Sequence, residues 1–176
     1  MTVATNFILY QVGWFACVMG AARGLPWVGV AVAAVVVAWH LARAPRARPE
    51  VLLVALTMLA GAVFDTLLAR SGWLHFETGM IVDRTAPCWM LALWAGFATT
   101  LNVSLRWLRS SPLLAAGLGA LGGPAAYYAG AKLGAVELDH RTAALVAVGV
   151  GWAIVTTLLL GAARRLDGYA PPGVRS

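Results

Sequence analysis

Six apolar runs, separated by short polar intervals, leave this chain few ways to fold. An α-helix rises about 1.5 Å per residue, so about 20 residues cross the roughly 30 Å hydrocarbon layer of a bilayer. The runs 4–22, 25–42, 51–69, 87–107, 113–133 and 140–163 approach or exceed that length. A content of 61% apolar and 11% charged residues is more apolar surface than a soluble domain of 176 residues can hide. The expectation is an all-α, polytopic membrane protein: one six-transmembrane-helix bundle over 1–163, then a polar cytoplasmic tail over 164–176.

The intervals sharpen that reading. Arg23-Gly24 closes the first run on a glycine suited to a left-handed cap, and Pro26 opens the second, which forces a tight hairpin. Trp27 and Trp39 mark the two ends of the second run as interfacial anchors. RAPRARPE, residues 43–50, reads as a loop, and 70–86 is the longest polar interval. Ser111 and Asp139 are expected to cap the fifth and sixth helices, and Pro124 to kink the fifth.

Arg43, Arg46, Arg48, Arg106, Arg109, Arg164, Arg165 and Arg175 fall on one side, and Arg23, Arg70, Arg84, Lys132 and Arg141 on the other. The positive-inside rule then places both termini in the cytoplasm, N-in and C-in. An arginine-rich, alanine-rich composition points to a GC-rich bacterium and so to its inner membrane. The start lacks a basic leader region, so the first run is expected to stay in place. The basic residues sit between apolar runs, so they read as topology signals and nucleic acid is not an expected partner. Two cysteines, Cys17 and Cys88, make neither a disulfide framework nor a metal cluster, and there is no phosphate loop, nucleophile elbow or CxxC. No cofactor and no metal are expected.

Asp65 is the sharpest single signal, because a charge inside a spanning helix needs a partner or a function. Its expected partners are Tyr127 or Tyr128 by hydrogen bond, or Lys132 or Arg84 by ion pairing. His75, Glu77, Asp83, Asp139 and His140 gather on the same outer side, so any polar chemistry is expected to face outward, although solvated loop charges and a helix cap are the favoured account of so loose a cluster. His40, beside Trp39, reads as an interfacial residue at the other end. Asn6, Gln11, Thr99 and Asn102 form a polar layer within the membrane, with Asn6 or Gln11 in reach of Asn102. Gly13, Gly122, Gly130 and Gly134 lie on small-residue stripes that let helices approach closely.

The segments NFILYQVGWFACV (6–18), PCWMLALWAGFATTLNVSLRWL (87–108) and GGPAAYYAG (122–130) resemble an uncharacterised family of small bacterial inner-membrane proteins, a domain of unknown function. The resemblance covers most of the chain and carries no catalytic residues with it. It implies a setting near cyclopropane-fatty-acid-synthase-like and other lipid-modifying enzymes. Three functions follow as expectations. The preferred one is a non-catalytic protein that binds membrane lipid or assists lipid-modifying enzymes, alone or as a homo-oligomer. The second is a small-solute or proton-coupled transporter switching at Asp65 and Pro124. The third is an outward-facing enzyme that uses Asp65, Tyr127 or Tyr128, with His75 or His140 as acid and base.

Overall fold

The computed structural model describes residues 1–170. Its helices are α1 (Val3–Ala22), α2 (Pro26–Arg43), α3 (Ala47–Arg70), α4 (Cys88–Leu101), α5 (Pro112–Lys132) and α6 (Arg141–Arg165), with a 3₁₀ turn at Arg106–Ser110. Two dipeptides, β1 (Leu74–His75) and β2 (Glu137–Leu138), pair antiparallel, Leu74 opposite Leu138. Four helices, α1, α2, α3 and α6, are long and apolar enough to cross a membrane, and α4 is a shorter apolar helix.

α4 lies at the centre. Eleven of its 14 residues are buried, because α1, α2 and α3 pack around it and α6 touches its remaining side. The outer helices show the reverse: Val35, Leu59, Leu67, Leu121 and Leu158 are each more than 60% exposed. That outward apolar belt would be costly in water and costs nothing in lipid. α5 packs along α6, and the pair meets the rest through α3, α4 and the 3₁₀ turn.

Close approach depends on glycine. A Cβ on Gly29 would sit 2.3 Å from the Cα of Cys17, and one on Gly61 would sit 2.1 Å from the Trp94 ring. Gly119 and Gly123 meet Trp152 of α6 in the same way, at 2.4 Å each. Gly134, at φ +87°, terminates α5, and Ala135 N–H reaches back to Gly130 O at 3.0 Å.

Several boundaries differ from the sequence expectation, each for a physical reason. α3 starts at Ala47, because Arg48 and Pro49 fit a first helical turn, and Glu50 is thereby drawn into the helix. α4 stops at Leu101. Thr99 and Thr100 turn their hydroxyls onto Gly96 O and Phe97 O, and Asn6 of α1 takes Ser104 N–H at 3.2 Å and donates to Thr99 O at 3.1 Å. The chain then reverses, with Leu105 N–H on Thr100 O at 2.8 Å. α5 runs unbroken through Pro124. Ser111 and Asp139 do not cap their helices through side chains. His140 precedes α6 in a left-handed conformation, and Asp139 pairs with His75 at 3.2 Å.

Candidate functional site

Asp65 is fully buried in α3 and ties three helices together. Its Oδ2 accepts the Trp94 indole N–H of α4 at 2.7 Å, and its Oδ1 accepts the Tyr127 hydroxyl of α5. Trp94 is held flat between Gly61 beneath it and Trp152 of α6, stacked at 4.7 Å between centroids and 21° between planes. Both carboxylate oxygens are therefore taken by neutral donors on neighbouring helices. The cationic alternatives lie elsewhere: Lys132 sits 5.5 Å above the Tyr128 ring, and Arg84 is exposed. Tyr128 is 41% exposed, and it is Tyr127 that bonds Asp65.

Tyr127 and Trp94 also form the wall of a cavity. A chamber of about 40 Å³ lies between α1, α4, α5 and α6, walled by Tyr10, Trp14, Trp89, Phe97 and Trp152 as well. Beside it, sharing Tyr10, Phe97, Ala126 and Trp152 as wall, is a groove of about 210 Å³ whose foot is Leu105, Leu108 and Leu118. A mouth of about 340 Å³ opens between α1 and α5 at Gln11, Gly122 and Ala125. Tyr10 and Ala126 line all three spaces, which places them side by side along α1 and α5. Gly122 has nothing within 4 Å of a would-be Cβ because it faces this opening; the intimate helix contact lies one residue over, at Gly123, and at Gly119. Along the groove Thr156 Oγ1 is buried with no hydrogen-bond partner among the described residues, and the Trp152 indole lies edge-on to the Tyr127 ring.

A second polar cluster lies at the opposite end, where the α2–α3 link, the end of α4 and the residues after α6 meet. Glu50 and His40, each 1% exposed, pair at 2.8 Å. Glu50 also accepts Asn102 Nδ2–H at 2.5 Å and the Gly168 N–H at 2.7 Å. Asn102 donates to Leu166 O at 2.8 Å, Arg46 donates to Asp167 O at 2.7 Å, and Tyr169 donates its hydroxyl to His40 O at 2.7 Å. Asp167 receives Arg106 at 2.8 Å and Arg109 at 2.9 Å. Residues 166–170 are thus a strap laid across the end of the bundle and not a solvated tail; 171–176 lie outside the described residues. Burial and the Glu50 carboxylate push the Tyr169 phenol up to about 12.

The structure brings Asp65 and Tyr127 together and leaves the other proposed acid–base residues apart. His75 remains half-exposed at the β pair and His140 is exposed, whereas Asp65 is sealed. Asn6 and Thr99 meet directly, Gln11 faces the groove mouth, and Asn102 joins the Glu50 cluster. Gly13 and Gly130 make only ordinary contacts, with Ala33 and Val136. Sequence reasoning missed the Glu50–Asp167 end entirely. The available signal was that these two are the acids on the arginine-rich side.

The fold and its groove define an apolar helical bundle with a lateral, aromatic-walled cleft and buried polar ties at both ends. The chain belongs to DUF2878, a family of proteins of unknown function, which matches residues 3–158. No curated protein and no solved structure matches it.

Proposed function

We propose that this is a six-span protein of a bacterial inner membrane, both termini cytoplasmic, that holds a single lipid chain in the groove between α1 and α5 without reacting with it. The carrying observation is the groove itself. It opens sideways, where lipid would stand, and runs along α5 from Gly130 to Leu118, about 18 Å at 1.5 Å per residue. That is close to the half-thickness of a bilayer's hydrocarbon, roughly 15 Å. Asp65 lies outside its wall, behind Trp94 and Tyr127, which favours a tie over a reactive base. The antiparallel order of the helices collects the strap and the arginine-rich links at one end, which supports the cytoplasmic assignment. α4, at about 21 Å, is short for a span, and the loop before it folds back on its first turn, with Cys88 N–H on Gly79 O at 2.8 Å.

Native mass spectrometry of the full chain from lipid nanodiscs tests the reading. Wild type should retain one lipid, and Gly122→Trp, which blocks the mouth, should retain none with an unchanged unfolding midpoint. Equal retention by both would overturn it. Chemical conversion of the retained lipid by wild type but not Asp65→Asn would establish the enzyme reading instead.

A further inference from the structure

The foot of the groove stops at Leu105 and Leu108, and the next residue on the 3₁₀ turn is Arg109. Its side chain is 9% exposed. Nη1–H donates to Asp167 Oδ2 at 2.9 Å, while Nε–H and Nη2–H are buried with no acceptor among the described residues. These two N–H groups lie on one edge of the guanidinium and project in parallel, the arrangement that meets two oxygens of one phosphate or carboxylate. Arg106 shares Asp167, so a single carboxylate faces two guanidinium groups and the cluster keeps an excess positive charge. Ser104 Oγ, on the same connection, is another buried donor without a partner among the described residues. The edge is buried, and Leu108, its immediate neighbour in the chain, lines the foot of the groove.

We infer that the Nε/Nη2 edge of Arg109 anchors the anionic headgroup, a phosphate or carboxylate, of the lipid whose chain lies in the groove. This rests on the lipid-binding reading above and adds the class of ligand to it. An uncharged glyceride of the same chains fills the groove but leaves the edge unmet.

The test compares phosphatidylglycerol with diacylglycerol of identical chains, each offered to the full chain in detergent micelles and counted by native mass spectrometry. Wild type should retain phosphatidylglycerol about tenfold better, as expected for a charge-assisted pair of hydrogen bonds. Arg109→Gln should remove the preference while diacylglycerol retention stays unchanged. Arg109→Lys keeps the charge and the Asp167 partner but lacks the edge, so it should lose most of the preference; it carries the test if Arg109→Gln does not fold. Equal retention of both lipids by wild type, or a preference untouched in Arg109→Lys, overturns the inference and leaves the groove reading standing. Retention of neither lipid overturns both. Inorganic phosphate alone raising the unfolding midpoint as much as phosphatidylglycerol does, in wild type and not in Arg109→Lys, would make this a free-anion site and overturn the lipid assignment.

Discussion

Asp65 and Glu50 are both buried carboxylates, and their surroundings assign them different work. Asp65 accepts two neutral donors from α4 and α5, so its value lies in joining helices. Asp65→Asn and Tyr127→Phe should each lower stability by about 1–3 kcal/mol, and the double variant should cost little more than either, because one interaction is lost once. Thermal unfolding of the four proteins in detergent checks this, and additive losses would show that the two residues act separately. Glu50 instead gathers His40, Asn102 and the strap. The strap also carries Tyr169, whose phenol is raised from 10.0 to about 12 in the folded protein. The folded state holds that proton more tightly, so the associated stability is complete below pH 10 and is lost as pH rises towards 12. Tyrosinate absorbance and strap proteolysis should rise together across that window, and Tyr169→Phe should remove the coupling.

The helices were largely legible as apolar runs, and their ends were not. Five of the six start or stop within a few residues of the expectation, because length and composition alone demand them. α4 ends six residues early through a contact with Asn6, 93 positions distant from Thr99 in the chain. No local pattern encodes such a pairing. Glycine tells the same story: spacing marked Gly122 and Gly130 for close contact, whereas the backbones touch at Gly29 and Gly119. Gly29→Ala should therefore drive α1 from α2 and destabilise by about 1–3 kcal/mol. Gly161→Ala, where nothing lies within 4 Å, should stabilise by about 1 kcal/mol through helix propensity. Chemical or thermal unfolding of the two variants separates these signs, and equal effects would contradict the helix arrangement.

The bundle as a whole predicts a topology. A cysteine at exposed Pro45, in a background lacking Cys17 and Cys88, should resist an impermeant thiol reagent added to intact cells and react after the membrane is opened. Prompt labelling in intact cells would invert the proposed orientation. Truncation after Arg165 should also weaken the molecule, since it strips Glu50 of Gly168 and both Arg106 and Arg109 of Asp167. The sequence by itself determined that the chain is helical, apolar outward and punctuated where it turns, because those properties follow from composition and periodicity within one run. It also singled out Asp65, because an acid in an apolar run needs a partner, but left that partner open among Tyr127, Tyr128, Lys132 and Arg84. Which helices face one another, the groove between α1 and α5, and the strap over Glu50 were decided only by tertiary structure. Those features depend on side chains far apart in sequence meeting across close glycine contacts, and a one-dimensional pattern carries no record of which faces meet.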